Sequence, residues 1–136
     1  MVVHESAEDY LEMMLMLKES KGYIRSIDIA AGLGVTKPSV SYAVKKLKEK
    51  ELITMAEDLS IELTDKGMEI AKKMLERHNA ITNVLMYLGV SEDTACEDAC
   101  LIEHDLSDES FEAIMKAFGG KLPTLHTHHS HIFEDE

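Results

Sequence analysis

Between Ile24 and Leu47 the chain reads IRSIDIAAGLGVTKPSVSYAVKKL, two short apolar-periodic segments broken by one glycine. This stretch constrains the fold more than any other. Ser26 is placed to cap the first segment, Ile27, Ile29, Ala30 and Leu33 form its inward side, and Gly34 ends it. Thr36 caps the second segment, with Pro38 near its start, where a missing N–H costs nothing. Val40, Val44 and Leu47 recur at helical spacing and turn inward. Two short helices across a tight glycine turn are the helix-turn-helix pattern. The outward side of the second helix holds Thr36, Lys37, Pro38, Ser39, Ser41, Tyr42, Lys45 and Lys46. Lysines, hydroxyls and a tyrosine suit phosphates and base edges, so these residues are the expected contacts to double-stranded DNA.

Charge supports this reading only locally. The chain carries a formal net charge of −12, which argues against a nucleic-acid binder taken whole. Residues 1–50, however, hold eight Lys or Arg against seven Asp or Glu, whereas residues 51–136 hold six against nineteen. Five lysines and one glutamate lie between Thr36 and Lys50. The pattern predicts a small basic reading face on an acidic body, with binding that is salt-sensitive and not very strong without a second subunit.

The flanks extend the same unit. Ser6 caps a helix starting at Ala7, Gly22 ends it, and Tyr10, Leu11, Met14, Leu15 and Leu17 form its apolar stripe. Asp9 and Glu12 share one face of its first turns. Leu52–Met55 and Ile61–Leu63 read as a hairpin, a wing whose tip carries the acids Glu57 and Asp58. Thr64 caps a long helix running to about Leu88, with His78 in its middle. Its apolar side exceeds what one core uses, which predicts a partner chain.

Ser91 caps the next helix. There Cys96, Cys100, Glu103 and His104 stand at offsets 0, 4, 7 and 8, on one face. A thiol, a carboxylate and an imidazole are donors for a borderline transition metal, whereas magnesium and calcium prefer oxygen. Read alone, the stretch equally describes two buried thiols beside a solvated Glu-His edge. Ser107 caps a last helix with Phe111, Ile114, Met115 and Phe118, ended by Gly119-Gly120. The tail after residue 120 is polar, reads as flexible, and carries His126, His128, His129 and His131.

No apolar run reaches the roughly 20 residues of a membrane span, and the first residues carry acids instead of an apolar signal segment. A cytoplasmic protein without a structural disulfide is expected. There is no phosphate-binding glycine loop and no Ser/His/Asp arrangement, so catalysis without a metal is not expected.

Five stretches together resemble the diphtheria toxin repressor family, and most of all its short, manganese-sensing branch: SAEDYLEMMLML (6–17), DIAAGLGVTKPSVSYAVKKL (28–47), IELTDKGMEIA (61–71), ERHNAITNVL (76–85) and EDACLIEHDLS (97–107). The resemblance implies a mainly α protein. A winged helix-turn-helix domain (1–70) joins a helical metal-binding and dimerisation domain (71–120), followed by the His-rich tail (121–136), with no SH3-like domain. It implies a homodimer that binds an operator when loaded with Fe(II) or Mn(II) and represses metal-uptake genes, with Zn(II) or Co(II) as substitutes in vitro. Carried over by motif, the metal ligands are Asp9, Glu12, His78, Cys100, Glu103 and His104. Cys100 departs from the manganese branch, which has a carboxylate there, and matches the iron-sensing branch. Cys96 and Thr82 stand where the iron branch has stronger ligands for an ancillary site. Two rivals use the same residues: a di-metal hydrolase, which needs a substrate cleft and an open coordination position, and a winged-helix regulator that responds to a small ligand or to oxidation of Cys96 and Cys100.

Overall fold

A computed structural model describes residues 6–119. The elements follow as α1 (Ala7–Lys21), α2 (Ser26–Leu33), α3 (Lys37–Glu49), β1 (Ile53–Met55), β2 (Ile61–Leu63), α4 (Asp65–Tyr87), α5 (Glu92–Asp105) and α6 (Asp108–Phe118). Two compact units divide inside α4, after Leu75. No helix among the described residues is long and apolar enough to cross a membrane.

In the first unit, α1 packs against α2, α3 and β2. Ser6 and Asp9 form a reciprocal cap at its start, and Gly22 closes it at φ 81°, where a side chain would be strained. The expected stripe proves too narrow. All residues from Tyr10 to Leu17 are buried, Glu12 included, so the helix is covered on every side. Two expectations for α2 also fail. Ser26 is the first helical residue, and Arg25 occupies the cap position with no side-chain bond. Ile27 is 60% exposed. With the helix starting at Ser26, Ile29 and Leu33 set the buried line one turn apart, and Ile27, two residues from Ile29, points away.

β1 and β2 pair antiparallel in the register Ile53↔Leu63, Thr54↔Glu62, Met55↔Ile61. Ile61 and Ile53 turn into the core, and Ile61 N–H donates to the Ile24 carbonyl at 2.9 Å, tying the wing to the α1–α2 connection. At the tip, Asp58 accepts from Ser60 N–H at 3.0 Å and Oγ at 2.6 Å. These bonds lead the causes that hold its carboxyl below the usual carboxylate range. The start of α4 lies hard against the hairpin's entry. A Cβ on Gly67 would come within 2.0 Å of the Leu52 carbonyl oxygen, so only glycine fits.

In the second unit, Ser91 caps α5 and Ser107 caps α6, both as the sequence predicts. α6 has no fully buried residue. The four tail histidines lie outside the described residues.

Candidate metal centre and nucleic-acid interface

α3 presents the basic face. Thr36 Oγ1 accepts from Ser39 N–H at 3.3 Å and donates to Ser39 Oγ at 2.9 Å, which fixes the helix start. Val40, Val44 and Leu47 are buried, so the opposite side is fixed outward. Lys37, Pro38, Ser41, Tyr42, Lys45 and Lys46 are exposed, and Ser39 is half-buried. The Lys46 ammonium lies 5.5 Å from the centre of the Tyr42 ring, a cation–π arrangement that holds both side chains on the surface. Beside this face a cleft of about 440 Å³ is lined by Ser26, Ser41, Lys45, Lys48 and the acid Glu49 over Val44 and Met55. Lys48, absent from the sequence-based contact set, joins the cleft because it stands about one turn from Lys45 and two from Ser41 on the same flank.

On α1, Asp9 and Glu12 lie three residues apart. The Asp9 carboxylate accepts from Ser6 Oγ at 2.8 Å and from Ser6 N–H at 3.4 Å. Glu12 is 5% exposed. A carboxylate so deeply buried calls for a cation or hydrogen-bond donors.

The second unit holds a buried polar cluster. His78, on α4, is fully buried and Glu103, on α5, is 1% exposed. His78 Nδ1 lies 3.0 Å from Glu103 Oε2. Cys100 Sγ lies 3.6 Å from the same nitrogen, and Cys96 Sγ lies 3.3 Å from Nε2 on the other edge of the ring. His104 Nε2 is 3.3 Å from Glu103 Oε1. Burial alone would push the imidazole of His78 down. Hydrogen bonds to Cys96 and Glu103, together with the charge of Glu103, outweigh that and hold it up at about 9. Four of the six expected ligands, His78, Cys100, Glu103 and His104, therefore meet inside this unit. Asp9 and Glu12 stand together inside the other. Their donors are the thiol, imidazole and carboxylate types that a transition ion takes, so the side chains fit such an ion.

Two residues of this cluster lie outside the expected ligand set. Cys96 is on the expected face, four residues before Cys100, and the structure adds its contact with His78 Nε2. Arg77 had no signal at all. Its buried guanidinium donates to the carbonyls of Glu103 at 3.2 Å and Leu106 at 2.6 Å and to Asp108 Oδ1 at 2.5 Å. It also lies 4.9 Å from the centre of the Phe111 ring. Arg77 thus answers carbonyls that the end of α5 would otherwise leave open and fixes the turn carrying Glu103 and His104.

Comparison with known proteins agrees with this architecture. Residues 3–61 match the iron-dependent repressor N-terminal DNA-binding domain. Residues 64–134 match the iron-dependent repressor metal-binding and dimerisation domain. An uncharacterised HTH-type transcriptional regulator of Methanocaldococcus jannaschii is 39% identical over 123 residues, covering 87% of this chain and 98% of the relative. The HTH-type transcriptional regulator MntR of Bacillus subtilis is 39% identical over 109 residues, 80% of this chain and 77% of that one. The solved structure of the manganese regulator SloR superposes with a TM-score of 0.75 at 32% identity over 85% of this chain, which spans 54% of that longer one. The chain belongs to the iron-dependent repressor family, the diphtheria toxin repressors that its sequence resembles, in the manganese-regulator branch.

Proposed function

We propose that the chain acts as a homodimeric, operator-binding repressor that responds to Fe(II) or Mn(II) and controls metal-uptake genes. One observation carries the reading: the basic face of α3 and the buried His78–Glu103 pair, with half-buried His104 beside it, belong to the same 136-residue protein. Asp9, Glu12, His78, Cys100, Glu103 and His104 would hold the ion, and the bound ion supplies the positive charge that lets their carboxylates stand together. Without it, the like charges of Asp9, Glu12 and Glu103 disfavour one another. Ligands drawn from α1, α4 and α5 make metal binding also an ordering of the chain. In a two-fold dimer, recognition helices about 34 Å apart enter successive major grooves on one side of the duplex.

The Cys100 thiol favours iron over manganese, and the intrinsic order of affinities points the same way. The test is operator-DNA binding by apo-protein titrated separately with Mn(II), with Fe(II) under anaerobic conditions and with Zn(II). Metal-dependent binding in the wild type, lost in Glu103→Ala and His104→Ala, is the expected result. An unchanged metal response in those variants would count against the ligand set, and a wild type indifferent to every ion would sink the function.

A further inference from the structure

Leu59, at the tip of the hairpin, holds a conformation that suits glycine, with φ at 68°. Ala56 N–H donates to the Ser60 carbonyl and Leu59 N–H to the Ala56 carbonyl, each at 2.9 Å. These bonds close residues 57–59 as a three-residue hairpin loop, whose last position is left-handed and favours glycine. A bulky side chain there strains the backbone. The fold gains no packing in return, because Leu59 is 65% exposed. Single exposed leucines are ordinary, but not at a position that disfavours them. The tip is also pinned. The Arg25 guanidinium donates to the Asp58 carbonyl at 3.2 Å, lies 3.8 Å from Asp58 Oδ2, and stands 5.7 Å from the centre of the Tyr23 ring. Strain kept in a fixed, exposed place points to a partner outside the chain.

The place of the hairpin says which partner. Met55 of β1 lines the same cleft as Lys45 and Lys48 of α3, so the hairpin borders the face that reads DNA. A duplex seated on α3 through its major groove lays one sugar-phosphate strand along that cleft, and beyond the strand lies the minor groove. We propose that Leu59 is an apolar contact to the minor groove, beside the bases that α3 faces. Leucine is among the side chains that enter this groove as wedges. Charge does not compete with this role at Asp58, whose carboxylate is turned back onto Ser60 and Arg25. Glu57 stays exposed and repels phosphate, so the tip binds through its apolar side chain and not through charge. The inference rests on the DNA-binding reading above and adds to it a contact outside the basic face.

The test uses the full chain loaded with Mn(II) and a duplex that the wild type selects from a random-sequence pool. In Leu59→Gly the affinity for that duplex is expected to fall on the order of tenfold, as for an apolar contact made once in each half of a dimer. The urea midpoint should stay level or rise, because the backbone strain is relieved. Hydroxyl-radical protection of the minor-groove sugars should disappear beside each half-site and persist across the bases that α3 faces. Leu59→Met keeps the apolar bulk and should bind within about twofold of the wild type. An unchanged affinity and footprint in Leu59→Gly overturn the inference, and so does a Leu59→Met variant as weak as Leu59→Gly. A lowered urea midpoint in Leu59→Gly overturns it too, by showing that the leucine serves the fold. All three outcomes leave the regulator reading standing, whereas a pool from which the loaded wild type selects no duplex overturns both.

Discussion

α3 and the α4–α5 cluster are both rich in polar side chains, and they use them in opposite ways. On α3 the polar groups stand in water: Lys45 and Tyr42 are exposed, and their neighbours are the solvent and each other. Around His78 they are buried and interlocked, each answering a specific partner. The difference lies in dielectric. An exposed lysine costs little to change and acts at a distance through its charge, whereas a buried pair loses far more when one member is removed, because the other is left without compensation. One region is suited to reading a polyanion and the other to holding a fixed arrangement.

Substitutions can break this contrast, starting where the effect is largest. Glu103→Ala removes the carboxylate partner of the buried His78 imidazole and is expected to lower stability by about 3 kcal/mol or more in urea unfolding, besides abolishing the metal response. A loss below 1 kcal/mol would show that the cluster is not interlocked. Arg77→Met keeps the bulk but removes the donors to Glu103, Leu106 and Asp108. It should cost about 2 to 3 kcal/mol, with metal affinity falling alongside because the Glu103–His104 turn loosens. Full retention of both would place that turn under another residue's control.

On the exposed side, Lys45→Ala should leave unfolding within about 0.5 kcal/mol of the wild type. It should weaken DNA binding evenly across sequences and shallow the salt dependence by about one phosphate contact. A base-specific defect would move Lys45 from phosphate contact to sequence reading. The smallest effect is expected at the wing. Ser60→Ala removes the leading bond to Asp58, so its carboxyl titration, followed by NMR, should move up toward the ordinary range. Since the folded group titrates low, its contribution is present near neutral pH and fades as pH falls through that depressed value. An unmoved titration would assign the shift to the bonds and charge that the variant keeps, first of all the N–H of residue 60.

Most of the scaffold was legible in the sequence because its signals are local. Ser6, Thr36, Ser91 and Ser107 each cap the helix expected of them through a bond spanning three residues. What escaped depends on distant partners. Burial on every side of α1 cannot be read from an apolar stripe, because Met13 and Met16 are covered by what packs over them. Ile27 points outward because it stands two residues from Ile29, on nearly the opposite side of the helix from the buried line. Arg77 finds its partners 26, 29 and 31 residues onward, beyond any periodic pattern. His78, Cys100, Glu103 and His104 are legible from motif and spacing, and so is the place of Cys96 on their face, but its contact with His78 Nε2 is visible only in the structure.

The reciprocal bond between Ser6 and Asp9 gives the carboxylate two possible employers. Every cation that draws Asp9 away from Ser6 loosens the opening turn of α1, and every stabilisation of that turn weakens the cation's hold by the same factor, since linkage between two equilibria runs equally in both directions. With Asp9 among the proposed ligands, fraying at the start of α1 would vary with ion occupancy, and amide exchange at Ala7 to Asp9 would follow it.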